Sequence, residues 1–129
     1  MFKAKFAFSG ISVDDLEKAK HFYVDILGLD VDDEKMGLQL LLPNGGKLFI
    51  YEKPDHTPAS FTVLNFGVED IDQAVDELRT AGVSFEHYDD MPSKPDEKGI
   101  LRGLSANMGP DIAWFKDPAG NILSVLQDK

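Results

Sequence analysis

The chain carries one pattern twice, and this duplication limits the folds it can adopt more than any other feature of the sequence. Residues 12–16 read Ser-Val-Asp-Asp-Leu and residues 67–71 read Gly-Val-Glu-Asp-Ile, so each copy has a valine, two acidic residues and an aliphatic residue. Each copy follows an aromatic-rich run with strand character, about residues 2–11 and about residues 60–68. An internal repeat of this kind predicts two copies of one supersecondary unit.

A helix is predicted after the first strand of each copy. Apolar residues recur at helical spacing over residues 16–27 and again over residues 71–81. Asp15 and Asp70 stand just before these stripes, where a short side-chain acceptor can satisfy the unpaired amides of a first helical turn. The residues predicted to follow the helix ends, where a left-handed backbone favours glycine, are Gly28 and Gly82.

Further strands complete each copy and set the domain organisation. They are predicted over residues 29–32, 38–42 and 47–52 in the first copy, and over residues 83–88, 111–116 and 121–127 in the second. The sequence therefore predicts an α+β fold of tandem β-α-β-β-β modules, about residues 1–55 and 60–129, joined by a short polar linker. Residues 89–103 form the largest loop that has no counterpart in the other copy.

The composition limits the cellular location and the binding partners that we expect for this chain. The 129 residues are 43% hydrophobic and include no cysteine, which excludes disulfides, thiolate metal sites and cysteine nucleophiles. A formal charge of −10 disfavours nucleic acid and anionic membrane surfaces. No apolar run is long enough for a signal peptide or a membrane span, so a cytoplasmic protein without nucleic-acid or membrane partners is expected.

At this level the sequence resembles the vicinal-oxygen-chelate superfamily, which includes glyoxalase I, extradiol dioxygenases, fosfomycin-resistance enzymes and bleomycin-binding proteins. The resemblance rests on residues 13–16 (Val-Asp-Asp-Leu), 21–23 (His-Phe-Tyr) and 27–29 (Leu-Gly-Leu). It continues through residues 68–71 and the Asp-Pro-Ala-Gly-Asn turn at 117–121. The resemblance covers nearly the whole chain as one domain and implies that the sheets of the two modules curl into a cup around a ligand cavity.

The resemblance also implies a divalent metal in the cup, and this chain departs from the family at the ligand positions. Counting from the shared motifs, those positions fall on Phe8, Val63 and Ser124, with a fourth near Ile50 and Glu52 two residues further on. A metal needs three or four protein ligands for useful affinity, and these residues offer one carboxylate at most. No metal and no other cofactor is therefore expected.

The lining that the resemblance implies for the cup is apolar. With Phe8, Val63 and Ser124 on the concave side, the alternation of side chains along a strand adds further residues to that side. The predicted ligand-binding residues are Phe6, Phe8, Ile50, Phe61, Val63, Asn65, Trp114, Ile122 and Ser124. Such a lining suits a small, largely apolar ligand, and it equally suits a cup that its own phenylalanines pack shut.

Two functions follow from these observations. The first is a metal-free binding protein for a small, largely apolar molecule, similar to the bleomycin-binding relatives. The alternative is a glyoxalase-type lyase, isomerase or dioxygenase that uses a metal from non-standard ligands or acid/base groups of the long loop. The catalytic candidates for that alternative are His87, Asp89 and Glu52. The missing metal ligands favour the binding protein.

A homodimer is the expected assembly. Family relatives commonly form two-fold dimers, and Lys3 and Lys5 alternate with apolar residues as in a protected edge strand. Ile100, Leu101 and Leu104 lie among charged neighbours in the long loop, where a symmetric contact could bury them. The alternative is that these three residues fold back over the chain's own cup as a lid.

Overall fold

The computed structural model describes residues 1–91 and 93–129, which divide into two compact units. The first unit is Met1–Pro58 and the second is Ala59–Lys129. Within the described residues, every helix is too short or too polar to cross a membrane. Each unit contains one four-stranded mixed sheet and one principal helix, which confirms the predicted α+β class and the tandem repeat.

The first unit builds its sheet in the order β1-β4-β3-β2. Its strands are β1 (Ser9–Val13), β2 (Asp30–Glu34), β3 (Gly37–Leu41) and β4 (Lys47–Glu52). Strand β1 runs parallel to β4 with Ile11 opposite Ile50, and the other pairs are antiparallel. A 3-10 turn, Pro43–Gly45, joins β3 to β4, and Asn44 adopts a left-handed φ of 68° there.

The helix of the first unit, α1 (Leu16–Lys20), continues into a π-helical segment, His21–Ile26. Asp15 caps α1 as predicted, because its side chain accepts a hydrogen bond from the Lys18 amide at 3.1 Å. Gly28 ends the helical segment with a φ of 73°, the left-handed conformation that glycine adopts without strain. The fully buried residues between helix and sheet include Val13, Tyr23, Leu40, Leu48 and Ile50.

The second unit repeats this plan with the sheet order β5-β8-β7-β6. Its strands are β5 (Thr62–Gly67), β6 (Leu101–Arg102), β7 (Asp111–Lys116) and β8 (Ile122–Gln127). Strand β5 is parallel to β8, and its register shifts between Thr62 and Leu64, which leaves Val63 at a β-bulge.

The helix of the second unit is α2 (Ile71–Thr80), and Asp70 caps it by accepting from the Gln73 amide at 3.1 Å. The Ile71 amide donates to Gln127 Oε1 at 3.0 Å, which ties the start of α2 to the end of β8. The fully buried residues of this unit include Ile71, Val75, Ile100, Phe115 and Leu123.

Three expectations about these elements are wrong. The first strand does not cover residues 2–11, because pairing with β4 begins only at Ser9 and ends at Val13. The strand expected over residues 83–88 is reduced to one bridge between Phe85 and Phe115. Ile100, one of the residues invoked for dimerisation, is fully buried in the single chain and offers no surface to a partner.

Candidate functional site

The second sheet has one face against α2 and an opposite face, here called the open face. Alternation along β8 assigns Leu123 and Val125 to the helix face and Ser124 to the open face. Ser124 pairs with Asn65 on one side and with Trp114 on the other, so these three side chains cross the open face in a row. Other open-face side chains in this register are Thr62, Leu101, Ile112, Lys116, Ile122 and Leu126.

Trp114 organises the open face. Its indole Nε1 donates to Thr62 Oγ1 at 3.1 Å, although Trp114 lies on β7 and Thr62 on β5. The indole must therefore reach across β8, which separates the two strands. Ser124 is fully buried and its hydroxyl donates to Asn65 Oδ1 at 2.5 Å. Ser124 is consequently hidden from a ligand, whereas the Asn65 side chain is exposed.

A partly enclosed cavity of about 300 Å³ lies beside Trp114 within the second unit. Leu101, Ile112 and Trp114 form its wall on the sheet side. The loop residues that line it are Met91, Ser93, Gly103, Ala106, Met108 and Pro110, and Arg102 completes the lining. The cavity is mainly apolar, with aromatic and thioether groups that adapt to flat or irregular ligands.

An ion-pair network holds the long loop beside this cavity. Arg102 donates to both carboxylate oxygens of Asp72 on α2, at 2.8 and 3.0 Å, and its Nε donates to Asp96 at 3.0 Å. Asp96 also accepts from the Lys98 and Ile100 amides at 2.9 Å each. The hydrogen bonds from Arg102 lower the pKa of the Asp72 carboxyl to about 2. Asp96 therefore serves the structure of the loop, and each of the three nitrogens of the Arg102 guanidinium donates to Asp72 or Asp96.

The first unit also has an open face, and it exposes aromatic rings. Phe49 and Tyr51 alternate with the buried Ile50 along β4 and stack at 6.0 Å between ring centroids. Phe8 and Phe49 line a shallow groove of about 320 Å³ together with Gln39. Ile50, on the opposite side of β4, is fully buried in the core, and its predicted place in a ligand-binding lining stays a prediction.

The other predicted lining residues have different surroundings. Phe6 and Phe61 are largely exposed at 76% and 67%, and Phe6 stacks on Phe8 at 6.2 Å between ring centroids. Ile122 shares the open face of the second sheet with Trp114, as alternation predicts. Val63, which the resemblance placed on the concave side by its offset from a motif, sits at the bulge of β5. Contact of any of these residues with a ligand stays a prediction.

The positions of the family's metal ligands do not fit a metal ion in this protein. Phe8, Val63 and Ile50 have no ligating atom, and the Ser124 hydroxyl is already hydrogen-bonded to Asn65. The one carboxylate near these positions in the sequence, that of Glu52, is exposed at the end of β4. Across residues 1–91 and 93–129, no three His, Asp or Glu side chains are arranged to hold a metal ion. The side chains at the family's metal-ligand positions therefore do not provide the three or four ligands that a divalent metal needs.

The catalytic candidates are separated between the units. Glu52 ends β4 in the first unit, whereas His87 and Asp89 lie in the second, and all three are exposed. The structure shows instead a pair that sequence motifs did not indicate: Ser12 Oγ lies 2.6 Å from His56 Nδ1. This contact ties the segment after β4 to β1, and 44 residues separate its partners, so no local spacing could have indicated it.

Sequence comparison identifies the family that this fold and its repeat define. The sequence model of the Glyoxalase/Bleomycin resistance protein/Dioxygenase superfamily matches residues 5–125, and the chain belongs to that superfamily. A comparison with curated protein sequences finds no match.

Solved structures share the fold over the full chain. The antibiotic binding protein TnmS3 from a Streptomyces species is 25% identical, with a TM-score of 0.65 and coverage of 99% of this chain and 100% of that one. A glyoxalase/bleomycin resistance protein/dioxygenase from Alicyclobacillus acidocaldarius is 18% identical, with a TM-score of 0.70 and coverage of 99% and 95%. The fosfomycin resistance protein FosX from Listeria monocytogenes is 14% identical, with a TM-score of 0.69 and coverage of 99% and 96%.

Proposed function

We propose that this protein binds a small, largely apolar molecule in the cavity beside Trp114, and that binding requires no metal. The observation that carries the proposal is the cavity of about 300 Å³ on the open face of the second sheet. Ligand sites in proteins begin at about this volume and are lined mainly by apolar and aromatic groups with few polar ones. A ligand of one or two rings therefore fits better than a large one.

Polar side chains in the cavity lining are few: Ser93, Arg102 and the indole of Trp114. The indole N–H of Trp114 is bonded to Thr62, and Arg102 donates to Asp72 and Asp96. Apolar contact is thus the main source of affinity.

The comparisons support the same class of function. TnmS3, which is 25% identical over nearly all of both chains, is described as an antibiotic binding protein. Binding of a small organic molecule without a chemical step is consistent with the residues at the family's metal positions, which are Phe8, Val63 and Ser124 in this chain.

A cavity-filling variant tests the proposal. We expect neutral aromatic compounds to raise the melting temperature of the wild-type protein, because a ligand that binds only the folded state adds about 2.7 kcal/mol at a concentration of 100 Kd. Ala106→Trp places a large ring in the cavity from an exposed loop position and should abolish this rise. Ala81→Trp, at the exposed end of α2, is the matched control and should retain it.

Two results would contradict the proposal. A melting shift of wild-type size in Ala106→Trp would mean that the compounds bind elsewhere. A stoichiometric divalent metal retained after dialysis, together with loss of the shift in EDTA, would contradict binding without a metal.

A further inference from the structure

Two thioether side chains line the cavity beside Trp114. The chain has four methionines, and two of them, Met91 and Met108, belong to the cavity lining. Of the other two, Met36 lines the groove of the first unit and is 77% exposed, and Met1 is also exposed. Half of the methionines of this chain therefore lie in the cavity to which we assign ligand binding.

The wall of this cavity has a part that internal contacts fix and a part that solvent reaches. Trp114 is held by the hydrogen bond from its indole N–H to Thr62, and the ring of Tyr88 packs edge-on against it with 5.5 Å between ring centroids. Met108 is 61% exposed, although its backbone N–H donates to the Gly103 carbonyl oxygen at 2.9 Å. That bond fixes the Met108 backbone in the loop that lines the cavity, while the side chain stays accessible to a small reagent from solvent.

The accessible thioethers are the groups through which an oxidant can change the cavity. The chain has no cysteine, so a peroxide meets no thiol that would react in their place. The methionine sulfur attacks the terminal oxygen of a hydroperoxide, so that a sulfur–oxygen bond forms and the oxygen–oxygen bond breaks. The sulfur is oxidised by two electrons to a sulfoxide, and the peroxide is reduced to water or an alcohol. The proton of the transferred oxygen passes to the oxygen that leaves.

A sulfoxide in this lining opposes the binding of an apolar ligand. It converts a flexible apolar side chain into a polar one with a strong hydrogen-bond acceptor. An apolar ligand that covers the new oxygen removes its water and offers no hydrogen bond in return, which is unfavourable. The indole N–H of Trp114 does not offer one either, because it already donates to Thr62. Oxidation of Met91 and Met108 therefore lowers the affinity of the cavity for the ligand class proposed above.

We propose that Met91 and Met108 form a reversible oxidation site that controls ligand binding: a hydroperoxide converts their thioethers to sulfoxides, and the cavity beside Trp114 then releases its apolar ligand. This inference rests on the proposed function, since it assigns a modification to the same site. The modification is reversible because methionine sulfoxide reductases return the sulfoxide to the thioether.

Hydrogen peroxide and one neutral aromatic probe, 2-acetylnaphthalene, test the inference. The wild-type protein is treated with peroxide, catalase removes the excess, and peptide mass spectrometry locates each added oxygen. Calorimetric titration of the probe before and after treatment gives the two dissociation constants. We expect oxygen at Met91 and Met108 and a dissociation constant raised by about fivefold or more. Methionine sulfoxide reductases A and B, which each reduce one epimer, should restore the original affinity.

Leucine variants assign the effect to the cavity. The double variant Met91→Leu with Met108→Leu keeps apolar side chains of similar volume without sulfur, so it should bind the probe and keep its affinity after peroxide. Met36→Leu is the matched control, because it removes an exposed thioether of the first unit and leaves both cavity sulfurs in place. It should lose affinity after treatment as the wild-type protein does. If the double variant does not fold, the single variants Met91→Leu and Met108→Leu replace it, and at least one should lose less affinity than the wild type.

The outcomes separate this inference from the proposed function. An unchanged dissociation constant in wild-type protein that carries both sulfoxides overturns the inference and leaves the proposed function standing. Oxidation of Met36 without oxidation of Met91 or Met108, an equal loss of affinity in the leucine variants, or a loss that the reductases do not reverse has the same consequence. Disappearance of the cooperative melting transition on oxidation would attribute the loss to unfolding and also overturns the inference. If the untreated wild-type protein does not bind the probe, the proposed function and the inference fail together.

Discussion

Removing the guanidinium of Arg102 is the change whose effect the structure defines best. Arg102 lies on β6 and joins α2 to the long loop through Asp72 and Asp96. Arg102→Met keeps most of the aliphatic stem and removes all five N–H donors. Because Leu101, Arg102 and Gly103 line the cavity, loss of this anchor should affect ligand binding as well as stability.

The magnitude follows from the bonds that are lost and from their exposure. Three charge-assisted bonds link Arg102 to Asp72 and Asp96, and the side chains of the three residues are 37%, 47% and 30% exposed. Such bonds reach about 1.5–3 kcal/mol each when buried, whereas exposed ion pairs give at most about 1 kcal/mol. With that solvent screening, we expect Arg102→Met to lower the free energy of unfolding by about 2 kcal/mol. For a chain of this length that corresponds to a fall of about 6–10 °C in the melting temperature.

The pH dependence gives an independent check of the cause. The folded-state pKa of Asp72 lies at about 2, below the ordinary value of 3.8, so its stabilising effect is complete above pH 4. The effect is lost as the pH falls from about 4 to about 2, where the carboxyl becomes protonated. The stability difference between the wild-type protein and Arg102→Met should therefore be largest at pH 7 and should shrink across this acidic range.

Urea unfolding of both proteins at pH 7, pH 4 and pH 2.5 measures these differences. Lys20→Met is the control, because Lys20 forms one exposed ion pair with Asp33 at 3.0 Å and should cost about 0.5 kcal/mol or less. The reasoning is refuted if Arg102→Met is no more destabilising than Lys20→Met at pH 7, or if its effect does not diminish in acid.

Two further predictions concern the cavity loop and the assembly. A methyl group at Gly103 would overlap the carbonyl oxygen of Pro110, so Gly103→Ala should lower the melting temperature by several degrees and weaken probe binding. Gly67→Ala, where the added carbon meets nothing within 4 Å, should do neither, and equal losses in both variants would argue against a specific role for the tight loop. We also expect a homodimer, because Phe2 and Phe6 are 92% and 76% exposed in the single chain. Light scattering at micromolar concentration should give twice the 14.3 kDa chain mass, and a mass of one chain would contradict the dimer.

Helix starts and helix ends were predictable from the sequence, because a few neighbouring residues determine them. Asp15 and Asp70 cap their helices, and Gly28 and Gly82 have φ values of 73° and 105° at the helix ends. Each of these features depends on one residue: an aspartate side chain accepts a hydrogen bond from an unpaired helix amide, and a glycine adopts a positive φ without strain. The repeat itself was predictable for the same reason, since both copies use the same local signals.

Strand limits and sheet faces depend on distant partners and were harder to predict. The Phe-Lys alternation of residues 2–8 has the period of a strand, yet β1 begins only at Ser9, where pairing with Leu48 of β4 begins. Ile50 was assigned to a ligand lining by its offset from a motif, whereas its register with Ile11 and Leu38 places it in the core. A shift of one residue exchanges the two faces of a strand, so Phe49 and its neighbours occupy the side expected for Ile50.

The cavity itself could not be derived from the sequence. It depends on β6, a two-residue strand inside a segment expected to be a loop, and on the ion pairs that hold this strand beside α2. Trp114 was predicted as a lining residue, but its reach across β8 to Thr62 arises from a contact between residues 52 positions apart. Such contacts have no local signature, because they are fixed only when the sheet has formed.

Trp114 is the only tryptophan among the 129 residues, and it stands in the wall of the cavity. The intrinsic fluorescence of this protein excited at the indole band thus comes entirely from one ring, edge-on to Tyr88 and next to the proposed ligand. Its emission wavelength and its quenching report the polarity and the occupancy of that single place, without a label and without averaging over other sites. The protein therefore contains its own fluorescent probe in the wall of the cavity proposed to bind the ligand.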